Sequence, residues 1–234
     1  MLSRNKLLYF IFESPQPVQA MGEGNGKWHL ASNLLSPESI VYSAGVGQEI
    51  SFEKQLVSEI GCTVQLFDPS PTGRATMQLP QNQDPRIEFQ ELGLAASDGD
   101  IVFSPPRNPC EGSFTIPSRT TGPVTRFACR SLPSLMNEKQ NPRIDFLKMD
   151  IEGFEYPILT RICRDRIPVS QICVEFHHCI VPGVTRMTTF LAMLRLHLAG
   201  FRLIHHDGLN HTFLHKRDRR INPGMQNHAQ IVQK

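Results

Sequence analysis

Asp150 and Glu152 stand where the apolar run Ile144-Asp-Phe-Leu-Lys-Met149 ends, and Gly153 follows them. Runs of this kind read as strands buried on both faces of a parallel sheet, and ligands of such sheets collect beyond the carboxyl ends of the strands. A carboxylate there is costly to desolvate, so it serves a ligand, a cation or a proton transfer. For Glu152 a helix start is an equal reading, because an acid is stabilised at the positive end of a helix. A second run, Ser170-Gln-Ile-Cys-Val-Glu-Phe176, ends in His177 and His178. Imidazole titrates near neutrality and suits general-base work. Asp150 and His177 are therefore the candidate catalytic groups, and either one is a candidate base. Asp150, Glu152, Glu175 and His177 together would suit magnesium or manganese, and iron more loosely. No fixed ligand spacing supports a divalent metal, and none is assigned. His205, His206, His211 and His215 read as facing solvent or neighbouring strands. Lys148 shares a strand face with Asp150 and needs a partner if buried, for which Glu175 or Asp150 is the candidate.

A second constellation lies upstream. Ser39-Ile-Val-Tyr-Ser43 reads as a strand, Ala44-Gly-Val-Gly47 as a turn, and a helix is expected from about 51 to 60. Glycines in such a turn let the backbone bend tightly and approach a ligand. The next strand, Thr63-Val-Gln-Leu-Phe67, ends at Asp68, which falls 21 residues after Gly47. A carboxylate at that spacing can accept both hydroxyls of a ribose. A dinucleotide fingerprint needs a third glycine, and Ile50 occupies that place, which counts against NAD. S-adenosylmethionine carries no phosphate and needs only the turn and the acid.

These motifs need a scaffold. The 234 residues are 40% hydrophobic and 20% charged, with a formal net charge of +2. This is an ordinary globular composition with no nucleic-acid or membrane footprint in its charge. The basic stretch Lys216-Arg-Asp-Arg-Arg220 reads as the solvated start of a tail. None of the six cysteines forms a Cys-x-x-Cys pair, which argues against structural zinc and fits a reducing cytoplasm. Arg4 and Lys6 precede Leu7-Leu-Tyr-Phe-Ile-Phe12, an apolar run too short for a signal core or a membrane span. It reads as an N-terminal strand or docking segment. Residues 14–37 read as a Gly/Pro/Ser-rich loop in which Trp28 packs at the domain edge or near a cofactor mouth. Pro69, Pro71 and Gly73 break the pattern after the second strand. A third strand is expected from about 87 to 94, then Ile101-Val-Phe103, and the Pro-rich stretch 104–123 is a candidate lid. A strand at 124–129, a short helix at 132–138, helices after Asp150 and around 187–198, and a closing hairpin complete the chain. Strands alternating with helices predict an α/β fold with helices on both faces of a mostly parallel sheet.

The chain resembles the FkbM-type methyltransferases. The resemblance is carried by Asp145-Phe-Leu-Lys-Met-Asp-Ile-Glu-Gly-Phe-Glu155, with support from Val41-Tyr-Ser-Ala-Gly-Val-Gly47, Leu66-Phe-Asp-Pro-Ser70 and Val174-Glu-Phe-His-His178, and it covers roughly residues 38–215. It implies a Rossmann-like, seven-stranded, mostly parallel sheet whose last strand is antiparallel. It also implies S-adenosylmethionine as cofactor. On this chain the turn of Ser43, Gly45, Val46 and Gly47 would lie along the methionine and ribose. Asp68, with Pro69 beside it, would hold the ribose, Leu94 and Ala95 would flank the adenine, and Asp150 would face the methyl-transfer centre. Many such enzymes open the glycine motif with an acid; here the residue is Ser43, with Glu49 a candidate substitute. Asp150-Ile-Glu152 stands where N-methylating enzymes often carry Asn-Pro-Pro-Tyr. The expectation is therefore O-methylation of a small-molecule or glycan hydroxyl, with no nucleic-acid or membrane partner. A silent S-adenosylmethionine-binding module and an NAD-dependent oxidoreductase are the alternatives. The expected layout is a leading segment 1–37, a catalytic domain 38–216 and a polar tail 217–234. Oligomeric state has no signature in the sequence.

Overall fold

The computed structural model describes residues 12, 14, 16–106, 108, 112–117 and 123–218. Its centre is a seven-stranded sheet whose inner strands are the apolar runs of the sequence. In chain order the strands are β1 (Gln19–Met21), β2 (Trp28–Leu30), β3 (Val41–Ala44), β4 (Val64–Phe67), β5 (Ile87–Gln90), β6 (Gly93–Leu94), β7 (Gly99–Phe103), β8 (Thr125–Arg130), β9 (Ile144–Met149), β10 (Val169–Glu175), β11 (Phe201–Asp207) and β12 (Asn210–His215). The helices are α1 (Ser51–Ile60), α2 (Pro71–Met77), α3 (Leu132–Glu138), α4 (Glu155–Asp165) and α5 (Arg186–Ala199). The large sheet runs β11-β12-β10-β9-β3-β4-β5. Pairing is parallel from β10 through β5, and β12 lies antiparallel to both β10 and β11.

The two-residue period of a strand splits the core in two. Phe146, Val41, Val64 and Leu66 pack with Phe52, Leu56 and Val57 of α1 and Met77 of α2. Leu147, Met149, Tyr42 and Ile172 pack on the other side with residues of α3, α4 and α5. Helices thus cover both faces. The parallel register aligns Ala44 with Phe67 and Met149, and Met149 with Val174. The residues that follow each strand, Gly45, Asp68, Asp150 and the 175–177 segment, therefore emerge along one rim.

Three expectations are corrected. The 14–37 stretch contains the antiparallel pair β1–β2, which buries Met21, Trp28 and Leu30. The 87–94 strand divides: β5 stays in the large sheet, while β6 joins β7 and β8 in a separate three-stranded sheet. Close packing of Gly93 on Cys129 fixes that departure, since a Cβ on Gly93 would lie 2.7 Å from its sulfur. Pro71, read as a breaker, opens α2 at its first position, where proline is tolerated, and the Ser70 hydroxyl caps it by accepting from Gly73 N at 3.0 Å. Of the 7–12 run only Phe12 is described; it packs against Phe190 and His197. The rest of that run, Arg219, Arg220 and the remaining tail, and residues 107, 109–111 and 118–122 of the 104–123 stretch lie outside the described residues. Among the described residues no helix is long and apolar enough to cross a membrane.

Candidate active site

The rim begins at the glycine turn. Gly45 has φ +93° and abuts the loop after β9 so closely that a Cβ would sit 2.0 Å from the Asp150 carbonyl oxygen. Asp68, 6% exposed, braces this turn. Its Oδ2 accepts from Val46 N at 2.8 Å and Gly47 N at 3.3 Å, and its Oδ1 accepts from Ser70 N at 2.7 Å. Gly73 lets α2 approach, because a Cβ there would lie 2.4 Å from the Asp68 carboxyl carbon. The glycine that looked like a breaker is a packing requirement of the acid.

Above the turn lies a cleft with two lobes. The polar lobe, about 360 Å³, is lined by Trp28, Gly45, Val46, Gly47, Glu49, Glu53, Asp68, Lys148, Asp150 and Glu152, among others. The apolar lobe, about 50 Å³, is lined by Phe67, Pro69, Leu94, Phe103, Phe114 and Phe154, among others. Gly45, Asp68, Gly112, Asp150 and Glu152 border both. Gly112 and Phe114 belong to the stretch read as a lid. Another cavity, about 240 Å³, opens beside Ser36, Arg143, Asp145 and Gln171, where β9 and β10 begin. It lies at the opposite end of the strands from Asp68, Asp150 and His177.

Of the residues read as cofactor contacts, Ser43 and Ala95 do not line the cleft. Ser43 is fully buried beneath it and donates to Glu53 Oε1 at 2.6 Å. Ala95 faces the apolar core, and its N–H donates to Arg130 O. The same Glu53 oxygen accepts from Lys148 Nζ at 3.2 Å, and Lys148 also donates to the Gly45 carbonyl at 2.8 Å. The partner of Lys148 is thus Glu53 of α1, in place of Glu175 or Asp150. Burial depresses Lys148, but the Glu53 charge, with Asp150 and Glu49, outweighs it and leaves the ammonium above its ordinary value. Trp28 lies beneath this cation, its ring centre 5.5 Å from Nζ. The acid missing at position 43 is therefore supplied further along the chain, by a helix. Glu49 lines the lobe while accepting from Ser51 N at 2.7 Å.

At the head of the cleft His177 is surrounded by carboxylates. Its Nε2 lies 3.5 Å from Asp150 Oδ1 and 3.5 Å from Glu152 Oε2, and its Nδ1 lies 3.2 Å from Glu155 Oε1. Burial opposes charging this ring, yet the hydrogen bond and charge of Glu155, with Glu152 and Asp150, raise it to about 9. Three carboxylates within 3.5 Å thus favour the charged ring, in which both nitrogens carry protons. A ring held in that form has no lone pair to accept a proton, which weighs against His177 as the general base. Glu175 goes the other way for a carboxyl: burial first, then the neighbouring Asp150 charge, push it up to about 7. Burial also raises Glu152, whose backbone adopts φ +52°. His178 turns aside to Thr189, 3.1 Å away. Asp150, Glu175 and His177 each bring one candidate ligand atom within 4.8 Å of the others. No ion is assigned to this group. Glu53 and Glu155 are buried carboxylates that sequence reasoning did not place at the site. Both sit in the first turn of a helix that follows a rim loop, a signal the sequence does carry.

Residues 31–203 match the family model described as the methyltransferase FkbM domain. Comparison with curated proteins and with solved structures found no match.

Proposed function

The chain belongs to the FkbM methyltransferase family, and from that premise we propose that it methylates a hydroxyl oxygen of a small molecule or glycan with S-adenosylmethionine as donor. The observation that carries the choice of cofactor is the charge of the cleft. Glu49, Glu53, Asp68, Asp150 and Glu152 line the polar lobe, with Lys148 paired to Glu53 and the His177 ring 3.5 Å from Asp150 and Glu152, so among the described residues carboxylates outnumber cations. Such a lobe attracts a sulfonium and repels a pyrophosphate; one unit charge against another at 4 Å is worth about 4 kcal/mol at an effective dielectric near 20. This disfavours the NAD-dependent reading on grounds independent of the absent third glycine.

The residues fit the donor part by part. Among the described residues Asp68 Oδ1 accepts one backbone bond, from Ser70 N, and keeps a lone pair for a ribose hydroxyl. Leu94, Phe103 and Phe154 provide an apolar slot for the adenine. Lys148, Glu53 and Glu49 offer one positive and two negative groups to the amino-acid end. When bound, the donor supplies an electrophilic methyl on a positively charged sulfur. The chain must orient the acceptor and take its proton. We assign proton acceptance to the Asp150–Glu175 pair, because a carboxyl at about 7 is poised near the working pH. His177 stays charged beside the pair and fixes its geometry. The oxygen acceptor is supported by these carboxylates, which suit removal of a hydroxyl proton. The strand order supports a Rossmann-like catalytic domain over 38–216, flanked by 1–37 and 217–234. The unpaired cysteines Cys62, Cys129, Cys163, Cys173 and Cys179 support a cytoplasmic setting.

Calorimetry with S-adenosylmethionine, S-adenosylhomocysteine and NAD tests the cofactor. The first two bind and NAD does not; tighter binding of NAD overturns the reading. Hydroxyl acceptors are then screened for S-adenosylhomocysteine release. Asp150→Asn lowers that rate by about 100-fold, in the range of a lost general base, and an unchanged rate removes Asp150 from the chemistry.

A further inference from the structure

Glu155 is fully buried, does not line the cleft, and nevertheless carries a carboxylate. It stands at the start of α4, where an anion is stabilised by the helix. All its bonds point to the rim. Oε2 accepts from Gly153 N at 2.7 Å. Oε1 accepts from the backbone N of His177 at 3.0 Å and from its ring Nδ1 at 3.2 Å. The far nitrogen of that ring stands equidistant, at 3.5 Å, from Asp150 and Glu152. A buried carboxylate without a counter-charge is disfavoured, and His177 is the cation within reach.

We propose that Glu155 is a positioning residue of the methyl-transfer site: it grips His177 by backbone and ring and presents the other ring nitrogen as a donor that sets Asp150 and Glu152 in the cleft. This rests on the methyltransferase reading for the role of Asp150. The charged groups facing the ring are Glu155 from α4, Asp150 and Glu152 from the loop after β9, and Glu175 from its own strand; His178 is its chain neighbour. With Glu155 in place the ring is a fixed proton donor, and the acceptor's proton is directed to the Asp150–Glu175 pair. Without Glu155 the ring loses its strongest favourable partner while its burial remains. Its hold on the proton then weakens, and the ring competes with that pair for the acceptor's proton.

The test is a side-chain NMR titration of the full chain, with the His177 resonance assigned from His177→Gln. Wild-type His177 titrates near 9. In Glu155→Gln, which keeps the shape and loses the charge, the midpoint falls by at least about one unit, and Glu155→Asp recovers part of the shift. A wild-type midpoint at or below 7 overturns the proposal, whether or not either variant folds. So does an unmoved midpoint in a folded Glu155→Gln protein. Calorimetry of the wild type with S-adenosylmethionine reports separately on the methyltransferase reading: absence of binding would sink that reading and leave the titration result standing.

Discussion

Replacing Asp68 with alanine and watching cofactor affinity fall is the obvious test of the ribose assignment, and the structure shows why it would mislead. The Asp68 carboxylate accepts three backbone N–H bonds, two of them from the glycine turn itself. Any substitution loosens the turn and weakens every ligand that touches it. A ligand-modification cycle separates the two effects. Wild type and Asp68→Asn are each titrated with S-adenosylhomocysteine and with its 2′,3′-dideoxy analogue. The loss caused by the loosened turn is common to both ligands and cancels in the difference. What survives is the coupling between the carboxylate and the ribose hydroxyls. A hydrogen bond to a charged group contributes about 1.5–3 kcal/mol, so removing the hydroxyls weakens binding to wild type by about 10- to 150-fold more than binding to Asp68→Asn. The readout is Kd by calorimetry. A coupling under about 0.5 kcal/mol refutes the assignment, however severe the loss in the single variant.

Three further outcomes follow from the geometry. Gly45→Ala places a Cβ 2.0 Å from the Asp150 carbonyl oxygen at a φ of +93°, so the turn and the loop after β9 move apart; cofactor Kd rises at least about tenfold, and unchanged calorimetry counts against the cleft. Lys148→Met strips the buried Glu53 of its counter-charge, with side-chain exposures of 7% and 2% across the pair. It costs about 3–5 kcal/mol in urea unfolding, and most of this returns in Lys148→Met/Glu53→Gln, where no lone charge remains; a double variant no more stable than the single one contradicts the pairing. Stability falls as pH rises past neutrality. His177 is raised from 6.5 to about 9 in the folded chain, so its contribution is complete below 6.5 and is lost as pH climbs through 9, a change of about 3 kcal/mol. Glu175, raised from 4.5 to about 7, contributes in the same direction over the lower window. A urea midpoint that stays level from pH 6.5 to 9.5, or that slopes equally in His177→Gln, contradicts this.

The elements legible in the sequence are those whose local pattern and tertiary setting agree. β3, β4, β9 and β10 are short apolar runs buried on both faces, and α1, α4 and α5 carry the spacing of a helix packed on one side. Elements escape a sequence reading where local pattern is silent or contrary. β1 and β2 are three residues each, too short for alternation to register, and they exist because Trp28 and Met21 find a core to enter. α2 begins with a proline and contains a glycine, both poor helix signals. The first is harmless at that position, and the second is required by the contact with Asp68. The 87–94 run looks continuous in sequence, but its second half is captured by β8, a partner far along the chain.

The same distinction explains the site. Gly45, Asp68 and Asp150 are legible because each terminates a strand, and parallel strands in register bring their ends to one rim without further information. Ionisation states are not legible, because they depend on which side chains meet across long sequence separations. Glu53 and Lys148 are 95 residues apart, and Glu155 and His177 are 22 apart. Read singly, His177 is a neutral-pH base and Glu53 a helix surface acid. Read together with their partners, the histidine is ringed by carboxylates that favour its cation, and the glutamate is the buried acid that position 43 lacks. The proposed division of labour follows from those pairings: two ion pairs, Lys148–Glu53 and His177–Glu155, are fixed around the rim, and Glu175, pushed up by burial and by Asp150, is left to exchange protons with Asp150.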